Sequence, residues 1–284
     1  MNEIEIIEHI WIEMSDGVRL SAKIWLPVNA KNAPIPAILE FIPYRKRDAY
    51  ALRDHANHAW MAAYGYACIR PDMRGHGDSE GPALKTIEEM ADWIADLITS
   101  LGIEKTSYVG HSQGCLVGLE FAQRHPDKLE LLALINGSMS MKMNTELLDL
   151  ALNKDQKAVD LMMDWVHGPL GHKGGHPVPG LSHLGMGGQL VSSNNNGTLG
   201  TDFNACDIYT NGLKAAESVK HPTLCIVGKH DKMTPKKVGL ELASKIKDSK
   251  TIVLEESGHM AILETASETK NLLKNFFREH RSAS

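Results

Sequence analysis

The apolar positions of this chain fall into short runs with two different periods. Ile4, Ile6, Ile10 and Ile12 alternate with Glu and His over residues 3–14, which predicts a half-exposed strand. Asp16-Gly17 reads as a hairpin turn, and Val18 to Leu26 as a second strand with Leu20, Ala22, Ile24 and Leu26 on one face. Ala37 to Ile42 is a continuous apolar strand, and it runs into the polar loop Pro43-Tyr44-Arg45-Lys46-Arg47-Asp48. The period then lengthens. A helix is expected over about Asp54–Tyr64, a strand over Tyr66–Arg70, and a helix over Thr86–Leu101 whose stripe is Ile87, Met90, Ala91, Ile94, Leu97 and Ile98. Thr106 to Val109 predicts a strand that turns sharply at Gly110-His111-Ser112-Gln113-Gly114 into a further helix, and Leu131–Ile135 predicts the next strand.

Short apolar strands alternating with helices imply an α/β chain whose sheet is mostly parallel and covered on both faces. The rhythm breaks at about Ser138. From there to Glu217 no sheet strand is signalled. Helices are expected over Glu146–Leu152 and Gln156–His167, followed by a Gly/His/Pro-rich segment to Gly188 and a turn at Asn194–Gly197. Residues 138–217 therefore read as an inserted, mainly helical cap, and 1–137 with 218–284 as the core. Strands return at Pro222–Gly228 and Thr251–Leu254, with helices over Pro235–Lys247 and Met260–Phe277 and a frayed tail from Arg278.

Composition narrows the class of function. The 284 residues carry a net charge of −5 with scattered basic residues, so neither nucleic acid nor an anionic membrane is an expected partner. No apolar run approaches the length of a membrane span, and the acidic amino terminus lacks a signal-peptide pattern, so a cytoplasmic location is expected. Self-association into a homodimer stays open. Cys68, Cys115, Cys206 and Cys225 lie in apolar patterns and read as buried free thiols. His167, His172, His176 and His183 have a loose metal-like spacing without nearby carboxylates, and no metal or cofactor is expected.

The chemistry is concentrated at the Gly-x-Ser-x-Gly turn. One serine stands where a strand turns sharply into a helix, a strained position that needs the small neighbours Gly110 and Gly114, with His111 beside it. The turn places the Gln113 N–H at a helix amino terminus, where a developing oxyanion is stabilised. The motif arises by chance in roughly one chain in ten of this length. Its partners make it specific. A serine nucleophile needs a base, and the base needs an orienting group. Asp231 follows the strand PTLCIVG and His259 follows TIVLEE, in the order Ser, Asp, His.

On these motifs the chain resembles the α/β-hydrolase-fold serine carboxylesterases. Residues 84–284, with GHSQG, HPTLCIVGKHDKMTP and SGHMAILE, are similar to the haloperoxidase/esterase branch. Residues 15–82, with GVRLSAKIWLP, IPYRKRD and GYACIRPDMRGHGDSEG, resemble the cocaine-esterase and X-Pro dipeptidyl aminopeptidase type. The resemblance implies an eight-stranded, mostly parallel sheet, a small-molecule ester substrate and the triad Ser112, Asp231 and His259. It also implies an oxyanion hole of Gln113 N–H and the Tyr44 hydroxyl, with the Tyr44 N–H as the alternative donor. Amide or X-Pro cleavage, carbon–carbon bond hydrolysis and perhydrolysis use the same triad and remain alternatives, and a catalytically silent binding protein is the reading of a different class.

Overall fold

The structure is a computed structural model that describes residues 1–281 apart from 33, 49, 175, 177–179 and 194–196. The expected turn at Asn194–Gly197 and the last three residues of the tail thus fall, wholly or in part, outside the described residues. The chain groups into two compact units, residues 1–84 with 190–198, and residues 85–189 with 199–284.

The first unit is built on a hairpin. β1 (Ile4–Glu13) and β2 (Arg19–Pro27) pair antiparallel. Gly17 at φ 81° permits the tight reversal, closed by Met14 N–H to Val18 O. The short β3 (Ala37–Leu39) and β4 (Ala67–Pro71) pair in parallel, with α1 (Ala51–Ala63) between them in sequence. The sheet order is β1-β2-β4-β3. All five β4 residues are buried, which is why its run reads as continuously apolar. The exception is Arg70, whose guanidinium donates to Asp54 Oδ2 at 3.1 Å and Pro71 O at 2.7 Å. Trp25, Ala62 and Cys68 form the core of this unit. The polar loop Pro43–Asp48 turns one of its charges inward. Lys46 is buried, donating to Ser21 Oγ, Asp72 Oδ2 and Asp78 Oδ2 at 2.6, 3.0 and 3.0 Å, so its charge is spent inside the unit.

The second unit holds an all-parallel sheet, order β5-β6-β7-β8, formed by Thr106–His111, Leu129–Ile135, Thr223–Gly228 and Ser249–Leu254. The eight expected strands thus occur as two four-stranded hydrogen-bonded sets. α2 (Ile87–Ser100) begins at Thr86, whose hydroxyl accepts from Glu89 N–H, and it buries the stripe read from the sequence. α3 (Gln113–Arg124) follows β5 directly. Between β6 and β7 come α4 (Thr145–Leu152), α5 (Gln156–Val166), α6 (Pro169–His172), α7 (His183–Ser192), α8 (Thr198–Ile208) and α9 (Gly212–Ser218). α4 and α5 match the expectation. α6 to α9 were hidden by glycines and by residues of low helix propensity, as in TLGTDFNACDI, where packing outweighs propensity. After β7, α10 (Lys236–Lys245) precedes β8. The expected last helix is broken at Thr265 into α11 (Ala261–Glu264) and α12 (Ala266–Arg281). Leu131, Ala133, Ile135, Leu224, Ile226, Leu254, Ala261 and Phe276 form a buried core cluster of this unit. All four cysteines are buried free thiols.

Candidate active site

Ser112 is the residue between β5 and α3. Its φ of 55° and ψ of −123° place it in the left-handed region, one of three non-glycine residues there among those described. Such a conformation costs on the order of 1–3 kcal/mol and persists only where the surroundings hold it. Here Ser112 N–H donates to Ile135 O at 3.1 Å and Ser112 O accepts from Cys115 N–H at 2.8 Å. Gly110 is required sterically, since a Cβ there would lie 2.3 Å from Gly114 O. Gly114 is not: a Cβ would meet only Tyr108 Oη at 3.8 Å, so the expected need for two small neighbours falls on Gly110 alone. The Gly114 carbonyl instead accepts the Tyr108 hydroxyl at 2.9 Å. As the first residue of α3, Gln113 carries one of the N–H groups that no turn of the helix can satisfy. Its side-chain amide donates to Asp202 O in α8 at 2.9 Å.

Asp231 and His259 come together. His259 Nδ1 lies 2.8 Å from Asp231 Oδ2, and both residues are buried. Asp231 Oδ1 accepts the N–H groups of Met233 and Thr234, each at 2.8 Å, and the Thr234 hydroxyl lies 2.7 Å from Oδ2. A carboxylate held by this many donors has one orientation, and it fixes the imidazole with Nδ1–H toward Asp231 and Nε2 free to accept a proton. The neighbour of the serine meets this histidine directly, since His111 Nε2 donates to His259 O at 2.7 Å. Burial, and then the neighbouring His259, push the His111 imidazole down to about 4, so it stays neutral and keeps that donor role across the physiological range.

One residue that the sequence reading missed holds these loops in place. Asn136 follows β6 at φ 50° and is buried. Its Nδ2 donates to Gly258 O and His259 O at 3.0 and 2.6 Å, and its Oδ1 accepts Gly228 N–H at 2.6 Å. It thereby joins the ends of β6 and β7 to the segment carrying the histidine. The available signal was an Asn-Gly pair directly after a buried strand, since asparagine tolerates the left-handed region. Asn136→Gly keeps that backbone but leaves the Gly228 N–H unmet and removes one donor each from Gly258 O and His259 O, which keep the Ser257 hydroxyl and His111 Nε2. A loss on the order of 3 kcal/mol is expected, read as a lower urea midpoint at unchanged slope.

The remaining sequence candidates are placed as follows. Tyr44 belongs to the first unit, where its ring stacks on Tyr50 with centroids 5.4 Å apart and its carbonyl accepts from Arg70. His172 Nε2 lies 3.1 Å from Asp164 O, and His183 packs against His167 and His176 with centroids 6.0 and 4.7 Å apart. Among the described residues, three metal-capable groups converge at Glu40, Asp54 and His58. Arg53 already donates to both carboxylates at 2.5–2.7 Å, so those oxygens serve an internal ion network rather than a cation site.

Comparison with known proteins agrees with this architecture. A family model described as alpha/beta hydrolase fold matches residues 45–171. Epoxide hydrolase 3 of Siraitia grosvenorii is 36% identical over 83 residues, which is 28% of this chain and 26% of that protein. The putative carbamate hydrolase RutD of Yersinia enterocolitica is 41% identical over 73 residues, 25% of this chain and 26% of that one. These alignments span about a quarter of the length of the curated relatives. Whole-chain likeness comes from solved structures. An enol-lactonase from Burkholderia xenovorans aligns with a TM-score of 0.76 at 22% identity, covering 95% of this chain and 100% of the other. A thermophilic esterase from Thermogutta terrifontis aligns with a TM-score of 0.71 at 20% identity, covering 96% and 100%. The chain has the α/β-hydrolase fold.

Proposed function

We propose that the protein is a serine hydrolase of carboxylic esters, working through an acyl-enzyme. The observation that carries this reading is the buried His259–Asp231 pair, tied through His111 to the strained turn of Ser112. In the proposed cycle His259 Nε2 takes the Ser112 proton as Oγ attacks the ester carbonyl. The Gln113 N–H, at the positive end of α3, receives the oxyanion. His259 returns the proton to the departing alcohol, and water releases the acid by the same route. Asp231 holds the imidazole and stabilises its cation. The helices of residues 138–217 are the cap that bounds the substrate space. Their buried cluster of Leu147, Ala151 and Ala158, with Leu150, Leu161, Trp165, Leu199, Phe203 and Met233 packed on it, suits an ester of moderate hydrophobicity.

The test is a panel of p-nitrophenyl esters of graded chain length beside an X-Pro anilide. A burst of p-nitrophenol equal to the enzyme concentration, followed by slower turnover, is expected with short to medium esters. Faster cleavage of the anilide than of every ester counts against the reading.

The second oxyanion donor is assigned to the Tyr44 hydroxyl on the sequence resemblance. Tyr44→Phe is expected to lower kcat by about 10²- to 10³-fold at unchanged melting temperature. Kinetics within about twofold of the parent protein would remove the hydroxyl from the mechanism and leave the Tyr44 N–H in its place.

A further inference from the structure

The backbone around His259 is gripped from two sides. Its carbonyls are held by residues at the strand ends: Gly258 O and His259 O accept from Asn136 Nδ2, and His259 O also from His111 Nε2. Its amides are held by the junction between α5 and α6 and by Glu264. Met260 N–H donates to Val166 O at 3.1 Å, which uses a carbonyl that the end of α5 leaves without a helical partner. Gly258 N–H lies 3.3 Å from Glu264 Oε2, the same oxygen that accepts Gly168 N–H at 2.9 Å. The single turn of α11 makes this possible. Leu263 and Glu264 N–H both donate to Met260 O at 2.8 Å, which bends the chain back until the Glu264 carboxylate reaches Gly258, six residues behind it.

The two segments approach closely enough to dictate their residue types. A Cβ on Gly168 would lie 2.6 Å from Gly258 N, and one on Gly258 would lie 2.1 Å from Gly168 N. Main chain therefore meets main chain, and both N–H groups converge on one carboxylate oxygen, whose two lone pairs can accept them together. Glu264 Oε1 is buried and has no hydrogen-bond partner among the described residues. A bare, buried carboxylate oxygen is costly, and the bonds that offset this cost are the two made by Oε2. Those bonds serve Gly168 and Gly258, and Gly258 is the residue before the base.

We propose that Glu264 is a positioning residue for the base. By tying the Gly258 N–H to Gly168, it fixes the backbone that carries His259. The imidazole thereby stays aligned on Asp231, the orientation in which Nε2 takes the serine proton. The inference rests on the hydrolase reading and adds a residue to its machinery.

Two variants test it. Glu264→Ala removes the acceptor, whereas Glu264→Gln keeps one oxygen that can receive both N–H groups. With a short p-nitrophenyl ester, well below the melting temperature, Glu264→Ala is expected to lower kcat by about 10- to 100-fold and to leave KM within about twofold. KM is kept because His259 serves both acylation and deacylation, so both steps slow together. Glu264→Gln is expected to stay within about threefold of the parent protein in both constants. Proton NMR gives a readout that does not depend on turnover. The His259 Nδ1–H, held on a buried carboxylate, resonates far downfield, and its loss in Asp231→Asn identifies the signal. That signal is expected to persist in Glu264→Gln and to disappear or move upfield in Glu264→Ala. A kcat within about twofold of the parent in Glu264→Ala, a Glu264→Gln as impaired as Glu264→Ala, or a signal unchanged in Glu264→Ala each overturn the proposal. Should Glu264→Ala not fold, Glu264→Asp, whose shorter side chain draws the oxygen back from both N–H groups, is read by the same criteria. If the parent protein cleaves no ester, or cleavage survives Ser112→Ala, the hydrolase reading itself falls and this inference with it. Ser112-dependent cleavage that Glu264→Ala leaves intact overturns this inference alone.

Discussion

Ser112→Ala is expected to abolish the p-nitrophenol burst and to lower ester turnover by on the order of 10⁶-fold, leaving the melting temperature equal to or above that of the parent protein. The kinetic loss follows from the absence of any other nucleophile in the proposed cycle. Cys115, three residues on, cannot substitute. Its Sγ lies 3.3 Å from both Gly110 O and Ile135 O, and burial pushes its thiol far above the physiological range. The stability expectation follows from the backbone. Alanine must adopt the same φ of 55°, so the strain is unchanged, and the bonds that hold the turn are made by the main chain. Undiminished turnover in Ser112→Ala would move the nucleophile elsewhere. A large fall in melting temperature would show that the serine hydroxyl has a structural role.

Asp231→Asn is expected to lower kcat by about 10⁴-fold with little change in fold. The asparagine carbonyl can take the place of Oδ1 and still accept from Met233 and Thr234 N–H, so the loop keeps its anchors. Its amide then occupies the place of Oδ2 and faces His259 Nδ1 as a donor. The imidazole must answer with a lone pair on Nδ1, which puts its proton on Nε2, where it cannot receive the proton of Ser112. The Thr234 hydroxyl, within 2.9 Å of Asn136 O, retains a partner for its proton. Steady-state kinetics on a short p-nitrophenyl ester, with circular dichroism as the fold control, measure this. A loss below about tenfold would argue that Asp231 is a loop anchor and not the orienting group of the base.

The legibility of the site in the sequence was uneven for physical reasons. Ser112 and Gly110 could be read because a strand-to-helix reversal imposes close backbone approach, and only certain residues survive it. Asp231 and His259 could be read because each follows a strand with an apolar end, the fully buried β7 for Asp231 and the Thr251–Leu254 end of β8 for His259. The steric role given to Gly114 was wrong, since the open space around it depends on where the Tyr108 ring lies, six residues away in the chain. Lys46 reads as part of a polar loop, yet it is buried among Ser21, Asp72 and Asp78, and those partners are 25, 26 and 32 residues distant. Asn136 carried a turn signal and nothing more, because its importance lies in bonds across 92, 122 and 123 residues.

The sequence by itself determined the local structure whose causes are local. It set the order of the strands, the sharp turn at Ser112, the amphipathic faces of α2, α4 and α5, and the Ser, Asp, His order along the chain. Helices α6 to α9 were decided by the tertiary structure, since their glycines and polar residues form helix only where neighbours cover them. The meeting of the Gln113 side chain with Asp202 O was decided there as well. No spacing between residues 113 and 202 could reveal that bond, because contacts between helices depend on packing and not on distance along the chain.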